Sequence, residues 1–124
     1  MIVKKIFELP MLSSLLNHEP ELLIRGLDIS MILDGKDLSD ANRHVCLSFK
    51  NVLCHKHTSE RFTAEMYDAY DTFVEIVDSE WLMTMKKMNE TDFNFWQPKH
   101  FAVYLDGMGL YQFVAKGFEK TALS

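Results

Sequence analysis

Apolar and polar residues alternate with a period of two along much of the chain. Val45, Leu47 and Phe49 alternate with His44, Cys46 and Ser48. Phe101, Val103 and Leu105 alternate with Ala102 and Tyr104, and Tyr111, Phe113 and Ala115 with Gln112 and Val114. Successive side chains of a strand point to opposite faces, so this period predicts strands that turn one face to a core. Strands are expected over 2–9, 22–33, 44–49 with a bent continuation over 52–58, then 70–77, 100–105 and 110–118. Within 22–33, Leu27, Ile29, Met31 and Leu33 share a face, and Gly26 marks a bulge. Asp34-Gly35 carries turn chemistry, and so does Asp106-Gly107-Met108-Gly109, which joins the last two strands as a C-terminal hairpin.

Helical spacing is rarer. Trp81, Leu82, Met85 and Met88 form one apolar stripe and predict a main helix over 79–88. Asp78 or Ser79 serves as its N-cap, Glu80 suits the positive end of its dipole, and Lys86-Lys87 suit the other end. Met11, Leu12, Leu15 and Leu16 predict two helical turns over 11–18, ended by Pro20. The polar stretches 36–43, 60–69 and 89–99 are expected as loops, the last laying Phe93, Phe95 and Trp96 over the edge of the core. Short connections favour antiparallel pairing. The fold class expected is α+β, mainly β: a curved antiparallel sheet or small sandwich with one main helix and a C-terminal hairpin. Residues 1–124 are expected to form a single domain, with a core filled in part by the eight methionines.

Charge narrows the function. The chain carries 13 Lys and Arg against 18 Asp and Glu, a formal net charge of −5. That balance argues against nucleic-acid binding, which needs cations to displace condensed counterions. No apolar run approaches a membrane span, and the stretch Met1 to Phe7 lacks the long apolar region of a secretory signal, so no membrane partner and a cytoplasmic location are expected. Two cysteines are too few for a disulfide framework.

Three constellations could carry chemistry. His44-x-Cys46 and Cys54-His55-x-His57 combine the ligands that zinc prefers. His44, Cys46, His55 and His57 are the metal candidates, and an enzyme built on them, metal-dependent or hydrolytic, is one alternative. Their one-residue spacing is shorter than the two to four residues usual for paired zinc ligands, so neither a metal nor any other cofactor is expected. Cys46 or Cys54 beside a histidine could also act as a nucleophile, but no Gly-x-Ser-x-Gly elbow, phosphate loop, dinucleotide fingerprint or His-Glu-x-x-His motif occurs. No catalytic residue is therefore assigned.

The stretch Tyr67 to Leu82 carries Asp68, Asp71, Glu75, Asp78 and Glu80 with no basic residue, flanked by Tyr67 and Tyr70. Carboxylates in that number form a surface that speeds and orients docking of a basic protein, with the tyrosines as anchors. These seven residues are the expected partner-binding set. A self-associating structural protein, a homodimer burying methionine and aromatic side chains, is the other alternative.

Residues 70–82, Tyr-Asp-Thr-Phe-Val-Glu-Ile-Val-Asp-Ser-Glu-Trp-Leu, are followed by 100–106, His-Phe-Ala-Val-Tyr-Leu-Asp, and by 109–115, Gly-Leu-Tyr-Gln-Phe-Val-Ala. This combination, covering roughly the C-terminal half, resembles a group of small bacterial proteins of unknown function. Some small acidic proteins of that kind are immunity proteins of toxin systems. The resemblance implies a compact, sheet-rich domain, and an immunity role by covering a toxin's basic surface. It carries no catalytic residue.

Overall fold

A computed structural model describes residues 2–63 and 66–123. Seven strands run in chain order as β1 (Val3–Glu8), β2 (Glu21–Arg25), β3 (Asp28–Lys36), β4 (Asn42–Thr58), β5 (Thr72–Ile76), β6 (Lys99–Leu105) and β7 (Gly109–Leu123). They form one antiparallel sheet in the order β1-β5-β6-β7-β4-β3-β2. Two helices, α1 (Glu80–Met88) and α2 (Glu90–Trp96), lie between β5 and β6 in the chain.

The sheet is strongly curved, and aromatic contacts measure how strongly. Phe49 on β4 and Phe73 on β5 lie three strands apart, about 14 Å in a flat sheet. Their ring centroids are 5.8 Å apart. Phe7 on β1 and Phe118 on β7 are also three strands apart, with centroids at 6.4 Å. Both pairs meet because the sheet curls around Phe49, Phe73, Phe101 and Phe113, all but fully buried. Ile29, Met31, Leu33, Val45, Leu47, Val103 and Leu105 complete this inner face, so the alternating positions of β3, β4 and β6 point where their period predicts. The bend within β4 falls where the left-handed Asn51 (φ 52°) precedes a register shift between Val52 and Cys54.

β1 and β2 occupy opposite edges, so residues 9–20 must cross from one to the other. This strap closes one end of the curl. Leu9 donates its N–H to the Asp71 carbonyl, Leu12 to that of Lys36 and Asn17 to that of Asp34. Met11 is buried in the core, and buried Ser13 accepts the Asp106 N–H through its hydroxyl. Tethered at both ends, residues 11–18 cannot coil, and the two expected helical turns reduce to one 3-10 turn at Ser13–Leu15.

Other expectations also change. Residues 22–33 form two strands, because Gly26 (φ 60°) and Leu27 make a tight turn between β2 and β3 rather than a bulge. Leu27 is accordingly exposed and leaves the face it was expected to share with Ile29. Asp34-Gly35 is no turn: β3 runs through it to Lys36, and a Cβ on Gly35 would stand 2.8 Å from the Leu15 carbonyl oxygen of the strap. The expected loop 60–69 contains 3-10 turns at Glu60–Phe62 and Tyr67–Ala69, with residues 64 and 65 outside the described part. The sandwich alternative gives way to a single sheet.

Residues 89–99 are not all loop. They hold α2, a second helix beside the one main helix expected. Asn89 caps α2 by accepting the Asp92 N–H, and left-handed Gln97 ends it before Pro98. α1 begins where expected, with Ser79 accepting the Leu82 N–H. The C-terminal hairpin is present, but its second strand runs to Leu123 and leaves β6 after the Lys99–Ala115 pair to follow β4 alone. Ala69, Val74, Ile76, Ala102, Tyr104 and Leu110 form a second cluster on the outer face. Both faces of β6 are thus buried. Among the described residues no helix is long and apolar enough to cross a membrane.

Candidate functional site

The seven residues expected to form one binding surface are distributed over four places. Tyr67 and Asp68 belong to a 3-10 turn pinned by the fully buried Ala69. With that anchor inside, Tyr67 is 78% exposed and Tyr70 42%. Tyr70 stacks on Tyr104 with centroids at 6.0 Å, and its backbone bridges to Tyr104. Glu60, Met66, Tyr67, Tyr70 and Tyr104 line a shallow cavity of about 140 Å³. Partial desolvation, then the carboxylates of Asp106 and Asp71, push the Tyr70 hydroxyl above its ordinary range. Phe62, 84% exposed, stands on the neighbouring 3-10 turn. Glu60 and Asp106 were not singled out from the sequence. They reach this place from two other segments, which no local pattern reveals.

The remaining carboxylates lie elsewhere. Asp71 takes a left-handed backbone (φ 48°) and turns inward, where its Oδ2 accepts the Ser13 N–H at 3.3 Å. It fastens the strap rather than facing a partner. Glu75 lies on β5, in a wedge lined by Lys4, Lys5, Lys99 and Lys116. Asp78 accepts the Ile2 N–H at 2.6 Å. Together with Glu80 it borders a third cavity, of about 300 Å³, at the start of α1.

That third cavity exposes an arrangement the sequence reading missed. His100 is buried on the outer face of β6, between Ser79 and Gln112. Its Nε2 lies 2.8 Å from Gln112 Oε1 and its Nδ1 2.6 Å from Ser79 Oγ. With Gln112 Oε1 accepting, Nε2 carries the proton, and Nδ1 accepts from the Ser79 hydroxyl. The same hydroxyl oxygen accepts the Leu82 N–H at 3.1 Å. Trp81 packs edge-on against the imidazole at 5.2 Å, and Lys56 lies 4.6 Å from the centre of the Trp81 ring. Burial holds His100 below its ordinary basicity; Lys56 adds to this, and the Gln112 hydrogen bond opposes it. A serine bonded to a histidine suggests nucleophilic chemistry. Here the hydroxyl is occupied as a helix cap, and the far side of the ring meets a neutral amide instead of the carboxylate that would stabilise an imidazolium. The trio is a latch that fastens α1 to the sheet.

The histidine and cysteine candidates do not converge. Cys46 and Cys54 stand eight positions apart on the same strand, roughly 20–25 Å at the rise of a β-strand. The His57 ring stacks on Tyr111 at 4.1 Å and contacts the Met108 carbonyl oxygen at 2.6 Å. The Cys54 thiol packs 3.5 Å from Met85 Sδ, and burial pushes its pKa up, away from the reactive thiolate. His44, Cys46, His55 and His57 therefore cannot close one tetrahedral site. Among the described residues no three His, Cys, Asp or Glu side chains gather as metal ligands would.

No family model, no curated protein and no solved structure matches the chain.

Proposed function

We propose that this chain is a binding protein that acts in the cytoplasm and docks a basic protein partner through the surface around Tyr67 and Tyr70. The observation that carries this reading is a rigidly anchored aromatic patch ringed by carboxylates. Tyr67 and Tyr70 are exposed, while buried Ala69 and the Tyr104 stack hold the turn that carries them. Glu60, Asp68 and Asp106 supply negative charge around them, on a chain of net charge −5. Aromatic anchors give a protein interface much of its binding energy, and complementary charge at the rim speeds its formation. Of the seven residues expected from the sequence, Tyr67, Asp68 and Tyr70 are kept in this role. A bacterial toxin whose basic surface is covered by this patch is the partner class we propose, which makes the chain an immunity protein.

The test begins with a pull-down from native host cells at low salt and continues with the purified partner. Tyr67→Ala should weaken binding by at least about 2 kcal/mol, mainly through faster dissociation. Asp68→Lys should instead slow association and flatten its dependence on salt. A partner that binds both variants as tightly and as fast as the wild type would remove this surface from consideration.

A further inference from the structure

Four lysines of this acidic chain gather at one place on the sheet, apart from the tyrosine patch. β7 leaves β6 after the Lys99–Ala115 pair and continues along β4, while β1 and β5 stay on the other side. The wedge opened between them is a cavity of about 450 Å³, within the range of small-ligand sites. Lys4, Lys5, Lys99 and Lys116 line it, over an apolar wall that includes buried Phe101 and half-buried Phe118. Of the four lysines, only Lys5 forms an ion pair among the described residues, with Glu8. Glu75 is the one carboxylate in the lining, and no salt bridge joins it to a lysine there.

Lysines on an edge strand such as β1 can serve simply to block pairing with other chains. That accounts for Lys4 and Lys5. Lys99 and Lys116 stand on β6 and β7 beside the point where these two strands part, and so border the same gap as Lys4 and Lys5. Gly117, between Lys116 and Phe118, completes the wall. A Cβ built there meets nothing within 4 Å.

We propose that this wedge binds a small organic phosphate. Its anionic end would sit among Lys4, Lys99 and Lys116, its flat apolar body would lie against half-buried Phe118, and Glu75 would accept a hydrogen bond from a hydroxyl or amino group on that body. Ammonium groups are point-charge partners for phosphate, and aromatic rings supply the area that a bare inorganic anion cannot use.

Phenyl phosphate, inorganic phosphate and phenol are the probes, titrated at low salt while the backbone amide resonances of Phe101, Gly117 and Phe118 are followed by NMR. Phenyl phosphate should give saturable shifts, inorganic phosphate should bind at least about fivefold more weakly, and phenol should give none. Lys99→Gln and Lys116→Gln should each weaken phenyl phosphate binding about threefold to tenfold, an effect that shrinks as salt rises. No saturable shift up to about 10 mM phenyl phosphate, or shifts unaffected by both lysine variants, would overturn the site. Equal affinity for phenyl phosphate and inorganic phosphate would overturn the role of the aromatic wall.

Discussion

His100 shows how much a single buried residue can set. In the neutral ring Nδ1 accepts from the Ser79 hydroxyl while Nε2 donates to Gln112. Burial lowers its folded pKa below the ordinary value of 6.5, so the unfolded chain binds a proton more readily than the folded one. The sign follows: this contribution is fully present above about pH 6.5 and is lost as pH falls from there through the folded pKa. Melting temperature measured from about pH 7.5 down to about pH 5 should therefore decline for the wild type, and His100→Gln should flatten that decline. An identical slope in the variant would place the proton uptake elsewhere. None of this was legible in the sequence, where His100 reads as the first residue of an alternating strand. A buried histidine and an exposed one leave the same local pattern. The partners that distinguish them come from 21 and 12 residues away.

At the scale of elements, the turn between β6 and β7 separates two kinds of glycine. Gly107 (φ 75°) needs its conformational freedom but has open space around it. Gly109 (φ 107°) needs both, since a Cβ there would stand 2.0 Å from the Thr58 carbonyl oxygen and 2.8 Å from the Glu60 nitrogen. Gly107→Ala should cost about 1 kcal/mol and Gly109→Ala more than about 3 kcal/mol, read from urea unfolding. The turn itself was readable from Asp106-Gly107-Met108-Gly109, because turn chemistry is local. The close approach of β4 was not. The same division explains the helices. α1 was legible because a cap, an acidic first turn and a basic last turn sit within ten residues. α2 was missed because its seven residues are rich in Phe, Trp, Asn, Asp and Thr, weak helix formers. It forms because Asn89 ends one helix while capping the next, and because Leu53, Met85, Phe93 and Trp96 meet around a small cavity beneath it.

For the whole molecule, the order β1-β5-β6-β7-β4-β3-β2 puts the longest strands, β4 and β7, at the centre and two short ones at the edges. Hydrogen exchange should follow that order. The slowest amides are expected in β4, β6 and the first half of β7, and the fastest in β2 and α2, whose exposed residues let them open locally. Protection in β2 equal to that in β4 would mean that the edge opens only with global unfolding. The same arrangement separates two surfaces with different chemistry. The acidic aromatic patch lies at the end of the curl where the strap is tied. The lysine wedge lies where β7 parts from β6. Of the carboxylates that look like one cluster in the sequence, Asp68 goes to the first and Glu75 to the second, while Asp71, Asp78 and Glu80 lie apart from both.

The sequence by itself determined most of the strands and, Leu27 apart, which of the alternating residues face the core. Period-two alternation records side-chain direction, and neighbours in the chain suffice to write it. It also determined the start of α1 and the turn before β7, since capping and turn hydrogen bonds close within a few residues. Only the tertiary structure decided the strand order, the path of the strap, the burial of His100 and the division of the charged residues between two surfaces. Each of these depends on contacts between segments far apart in the chain. Such contacts form when the curved sheet brings Phe49 to Phe73 and Phe7 to Phe118, and no local pattern encodes that approach.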